Sequence, residues 1–260
     1  LTDVYREGVQ DAIQTVKAST RLLWSRIPRD RPDLDSEYDT LLGSLVPLVV
    51  ANQSEAIRLS GGYLAATLTA ETGERATASV PRDGIGLARD GRPLDVALRS
   101  PLILVKSELK QGQTLDRALQ LGERRALLMA GLAVDAIAQQ ALLLGIDEDD
   151  RFDGWQRAVR GTCGACLGSA TGPDGGFSFP KHPNCRCVSE PRVRGVRDRF
   201  PRPTGAMLFA AMSDDEQDAA VGPKVAEAIR TGSVTLADLV GSSAQAQGDD
   251  YLTQAPALSR

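Results

Sequence analysis

All four cysteines and the single histidine of this chain fall inside residues 161–187, GTCGACLGSATGPDGGFSFPKHPNCRC. Their order is Cys163-x2-Cys166, fifteen intervening residues, His182-x2-Cys185, then Cys187. Two pairs of soft donors separated by roughly 15–20 residues match a tetrahedral zinc site built on two tight turns. A Cys-x2-Cys turn brings both thiolates to one side of a reversed backbone, and His182 with Cys185 does the same from the second turn. Five donors, Cys163, Cys166, His182, Cys185 and Cys187, compete for four places. Cys187 can stand in for His182 or Cys185, and sequence does not choose.

Rival chemistries are weaker on these residues. Four cysteines allow three disulfide pairings. No basic region followed by an apolar core marks an export signal, so a reducing compartment is predicted, where disulfides are rare. A redox Cys-x-x-C centre sits at a strand–helix junction in a thioredoxin-like context, which is absent. A catalytic thiol would be Cys185 or Cys187 beside His182, but five clustered donors suit a closed metal site better than an open catalytic one. A metal-free stapled loop is the remaining alternative. Few large apolar residues lie between 161 and 191, so zinc would contribute on the order of 10 kcal/mol of folding energy to that segment. Phe177 and Phe179 flank Ser178 with strand spacing and are predicted to cover the site.

Two charged stretches border this segment. IDEDDRFDGWQR, just before it, is acidic but lacks the ligand spacing of a calcium loop, and reads as a solvated turn. From its last turn onward, Lys181, Arg186, Arg192, Arg194, Arg197, Arg199 and Arg202 place seven positive charges within 22 residues. They predict a solvated linker, with contact to DNA phosphates or an acidic protein surface as the functional alternative. No aromatics are interleaved for base stacking.

The elements that must position these residues are predicted to be helical. Aromatics make up only 4% of the 260 residues, which favours aliphatic helix interfaces over a β-sandwich. A net charge of −4 excludes a global basic field. The longest apolar run, LVPLVVA at 45–51, contains Pro47 and falls short of the roughly 20 residues of a membrane span, so no span and a soluble intracellular protein are predicted. Apolar spacing predicts a helix over 3–27, broken by PRDRPD. A second helix is predicted after Asp35, kinked or split at Pro47 and interrupted at Gly61-Gly62. Residues 73–101 predict an irregular segment with a domain boundary or hinge. Two further helices follow, one ending at Gly112 and one capped by Thr114 and stopped at Gly145. Ser213 and Glu216 form a capping-box pattern, and the tail from Gly241 has a disordered composition. The predicted fold is mainly α, a helical N-terminal body, a small Cys/His-stapled loop-rich module and short C-terminal helices. Its predicted parts are 1–75, 76–150, 151–205 with the arginine-rich linker, and 206–260.

CGACLG, a glycine-rich gap, an aromatic before PKHPNCRC and a following Glu190-Pro191 resemble the signature of the Mu F-like minor head proteins of tailed phages. Gly154 to Arg157 (GWQR) upstream and SDDEQDAAVGPKVAEAIRTGSVTLADLV downstream are similar to relatives from actinobacterial phages. The close resemblance covers residues 151–240. It implies a minor capsid component of the virion, near the portal vertex and present in the host cytoplasm during assembly. Such a protein acts in head assembly and DNA packaging or ejection. The implied partners are the portal or major capsid protein. The arginine stretch itself gives a second alternative, a DNA-contacting assembly factor that meets packaged DNA through Arg192, Arg194, Arg197 and Arg199, and the apolar runs predict no membrane partner. Actinobacterial relatives are often labelled capsid maturation proteases, the alternative function. The chain has one histidine, no G-x-S-x-G elbow and no H-E-x-x-H helix, so the sequence leans against an enzyme.

Overall fold

The computed structural model describes residues 1–30, 33–159, 164–170, 173–174, 187–196 and 203–239, with 165, 173 and 174 described by backbone alone. The described chain is mainly helical and divides into two compact units, 1–149 and 150–260.

The first unit contains α1 (Thr2–Trp24), α2 (Leu34–Thr72), α3 (Leu94–Ala97), α4 (Ser100–Lys110) and α5 (Leu115–Glu148). Helix α5 packs against α1, α2 and α4, and α1 also packs against α2. Thr114 caps α5 as predicted, its hydroxyl accepting from the Arg117 N–H at 3.3 Å. Gly145 does not stop the helix, which continues to Glu148. A Cβ there would lie 2.7 Å from both Leu64 Cδ1 and Val80 Cγ1, so this glycine allows close packing rather than capping. Helix α5 is long and apolar enough to cross a membrane by length and composition alone. Its stretch Ala126–Val134, ALLMAGLAV, is a longer apolar run than 45–51 and corrects the choice of that segment as the longest. Here α5 is the core helix of a bundle, with half of its most apolar window buried inside the structure.

Helix α2 starts at the Asp33 cap, slightly before the predicted start, and ends at Gly73, whose φ of 77° is the left-handed conformation that favours glycine. It runs unbroken through Pro47 and Gly61-Gly62. Pro47 removes the N–H that would bond the Gly43 carbonyl. Both residues lie on the exposed face, where water can bond the freed carbonyl, while Leu45 and Val49 are fully buried beside them.

Two aromatic clusters fix the bundle. Fully buried Trp24 donates from Nε1 to the Leu119 carbonyl at 3.1 Å and meets Tyr38 edge-on, centroids 5.7 Å apart. Tyr38 donates to the Leu98 carbonyl at 2.6 Å, tying α2 to the turn between α3 and α4. At the other end of α1, Tyr5 stacks on Tyr63 at 4.7 Å. The Tyr5 hydroxyl lies 3.1 Å from Ser60 Oγ and donates to the Ala138 carbonyl at 3.3 Å.

The segment predicted as a boundary lies inside this unit. Val80 packs near Gly61 and Gly145, and Gly84 approaches Ile137 and Gln140. Fully buried Gln53 accepts from the Gly86 N–H at 2.9 Å and donates to the Leu87 and Ala133 carbonyls at 2.8 and 3.2 Å. The helices on either side therefore share one core, and residues 73–93 strap α2 to α5.

The second unit pairs β1 (Phe152–Ala158) antiparallel with β2 (Pro173–Asp174) and β3 (Val188–Val193), in the order β2-β1-β3. Helix α6 (Gly164–Gly168) precedes β2; α7 (Gly205–Ala210), α8 (Asp214–Val221) and α9 (Pro223–Arg230) follow β3. The predicted capping box is present: the Ser213 side chain accepts from the Glu216 N–H at 3.4 Å, and Glu216 accepts from the Ser213 N–H at 2.9 Å. Residues 190–193, predicted to open the arginine-rich linker, belong to β3 instead, and 152–157, predicted as part of a solvated turn, belong to β1. The tail from Gly241 lies outside the described residues.

The helix contacts sort the glycines by what an added methyl would meet. At Gly122 it would lie 2.5 Å from Val105 Cγ2 and 2.7 Å from Trp24 Cζ2, whereas at Gly62 it meets nothing within 4 Å. Gly122→Ala should lower stability by about 1–3 kcal/mol through overpacking, and Gly62→Ala should raise it by roughly 0.5–1 kcal/mol through helix propensity. Urea unfolding of the two variants checks the opposite signs.

Candidate metal and cysteine site

The antiparallel pair of β1 and β3 brings the two ends of the cysteine segment together. Ala158, the last residue of β1, is the register partner of Val188, the first of β3. The chain leaves this end of the ladder towards Cys163 and α6 and returns to it through Cys187. The segment that holds the predicted donors is thus anchored, at its start and its end, to one end of a strand pair.

Two of the five predicted donors are described. Cys166 lies in α6 and is 2% exposed; Cys187 directly precedes β3 and is 1% exposed. Cys163, His182 and Cys185, with Phe177 and Phe179, lie outside the described residues. Among the described residues, no group of three or more His, Cys, Asp or Glu side chains converges as a metal site. The thiols that are seen fit a closed site by their burial and by the softness of the donor.

Helix α6 is packed by the residues that follow β3. Leu167 is 1% exposed and forms a core with Phe209, Ala226 and Leu236. Val159, Leu208, Met212, Ala220, Val221, Ile229 and Leu239 surround that core. The first cysteine turn therefore has an apolar foundation beyond the sparse apolar content of its own segment.

The arginines divide by position. Arg192 is on β3 and makes a 3.7 Å ion pair with Asp153 near the start of β1. Arg194 donates from Nε to the Asp150 carbonyl at 2.7 Å and from Nη2 to the Phe152 carbonyl at 3.1 Å, while its backbone N–H donates to the Arg151 carbonyl at 2.7 Å. These two residues fasten the end of β3 to the start of β1. Lys181, Arg186, Arg197, Arg199 and Arg202 lie outside the described residues.

Three features had no local signal in the sequence. Arg157, Ser189 and Glu190 are buried polar residues on paired strands, with Arg157 the register partner of Ser189. Only the strand pairing reveals them: Arg157 ends the acidic stretch read as a solvated turn, and Glu190 stands in the arginine-rich one read as a linker. The carboxylates on the helical side are exposed and simpler: Glu216 is held below the usual carboxylate range by the Ser213 backbone N–H and hydroxyl, and Asp238 by Thr235 in the same way.

Arg194→Ala should weaken the second unit by about 1 kcal/mol and speed amide exchange around residues 150–153, leaving the first unit unchanged. Arg194→Lys should recover only part of the loss, since an ammonium lacks the fork that reaches two carbonyls. Urea unfolding with peptide-resolved exchange measures both.

No protein-family model, curated protein or solved structure matches the chain.

Proposed function

We propose that this chain is a minor head protein of a tailed phage, a structural assembly component acting at or near the portal vertex. It serves head assembly and DNA packaging or ejection, and a zinc ion held by four of Cys163, Cys166, His182, Cys185 and Cys187 braces residues 161–187. The observation that carries this reading is the donor pattern itself, CGAC followed by PKHPNCRC, with GWQR before it and the Ser213 segment after it.

Burial of Cys166 and Cys187 supports a closed site over an exposed nucleophile. The segment that carries the donors begins after Ala158 and ends before Val188, which are register partners in the β1–β3 pair, and this supports a shared ligand. When bound, the metal would supply the cross-link that a segment poor in large apolar residues lacks. Helices of 23, 39 and 34 residues packed on one another offer long outer faces, as a docked assembly component requires. The engagement of Arg192 and Arg194 by Asp153 and backbone carbonyls favours a bracing role for them over phosphate contact.

Elemental analysis of the purified chain should give about one zinc per chain, and chelation should melt the second unit while the helices of residues 1–149 persist. A metal-free chain with all four thiols titratable overturns the zinc staple. In infected cells the protein should be recovered from purified heads and cross-link to the portal. Its absence from heads overturns the assembly role. His182→Ala should lower metal content and the stability of the second unit; loss of head-protein cleavage with fold and metal intact would replace this reading by a protease.

A further inference from the structure

We infer that α7, α8 and α9 form a clip that holds α6 in place, so that exposure of its Cys166 and release of the C-terminal helices are one event. This deepens the closed-site reading above by naming what closes it.

A helix of five residues is too short to persist by itself, so α6 depends on what grips it. At its start, a Cβ on Gly164 would lie 2.7 Å from Val221 Cγ1 and 3.4 Å from the Ala220 carbonyl oxygen, at the end of α8. Past its last turn, Gly205 of α7 donates its N–H to the Ala170 carbonyl at 2.7 Å. A Cβ on Gly205 would fall 1.7 Å from the Leu167 carbonyl oxygen, so α7 meets α6 backbone to backbone and only glycine fits. Cys166 lies between these two grips.

The gripping helices are themselves joined. Gln217 of α8 donates to the Phe209 and Met212 carbonyls at 3.0 and 3.2 Å, tying α8 to α7. Arg230 of α9 donates to Gln217 Oε1 and Asp218 Oδ1, both at 3.1 Å, tying α9 to α8. Phe209, Ala226 and Leu236 form one buried core with Leu167. Local opening in such a unit is cooperative: α7 cannot leave α6 without uncovering Leu167 and the neighbouring thiol. Coupling runs both ways, so loosening α6 loosens α7–α9.

The test measures site-resolved maleimide labelling of Cys166 and Cys187 by mass spectrometry in the full chain, together with amide exchange across residues 205–230. Gly205→Ala and Phe209→Ala each disturb the clip from α7, the first by collision and the second by a cavity. Each is expected to speed Cys166 labelling on the order of tenfold or more, with Cys187 and the first unit at parent rates. If Gly205→Ala unfolds the whole second unit, so that Cys187 labels as well, Phe209→Ala decides. Either variant releasing the amides of 205–230 while Cys166 stays protected overturns the clip. In a chain that carries zinc, chelation should release the same amides, and their continued protection also overturns it. If the chain carries no zinc, the metal reading falls separately and the labelling result alone judges the clip.

Discussion

Close approach to α5 is the constraint from which the helical unit follows. A 34-residue helix with this much apolar surface needs partners on several sides. Gly122, Gly131 and Gly145 let those partners come near. The Trp24 ring and Val105 fill the space at Gly122, Lys17 and Ile13 lie over Gly131, and Leu64 and Val80 fill the space at Gly145. Each glycine gives up helix propensity for an approach that a methyl group would block. The few aromatic residues then act as keys: Trp24 and Tyr38 at one end, Tyr5 and Tyr63 at the other.

The second unit uses a different economy. Its sheet is small, and β2 contributes only two residues. The strand pair of β1 and β3 instead fixes where the cysteine segment begins and ends. Arg192 and Arg194 secure the opposite end of that pair, and a helical cluster around Leu167 supports the first turn. The zinc proposed above would be a further support, acting on a segment whose sequence holds few large apolar residues.

Features written in a few adjacent residues were legible in the sequence. Thr114 and Ser213 cap helices because a side-chain oxygen and an amide three residues on are all that a cap requires. The mainly helical fold was legible for the same reason, since its period repeats over many turns. Gly145 was misleading because a glycine that stops a helix and one that admits a neighbour look alike until the neighbour is known. Pro47 was read as a break because its exposure, which makes the lost hydrogen bond tolerable, belongs to the tertiary structure. Strand β3 was hidden by Pro191 and its flanking arginines, and only pairing with β1 explains the burial of Ser189 and Glu190. At the candidate site, the donor types and spacing were plain. The packing of α6 by residues forty or more positions later was not.

The hydrogen bond from Tyr5 to the Ala138 carbonyl spans 133 positions of the chain. Contacts between α1 and α5 therefore close a loop containing almost the whole first unit. As the polypeptide leaves the ribosome, α1 and α2 emerge long before the helix that covers their apolar faces. Their early pairing leaves one side waiting, and the bundle is completed only when α5 has been made. Synthesis order thus gives the nascent chain an interval in which those faces need shelter, a demand for chaperones set by topology alone.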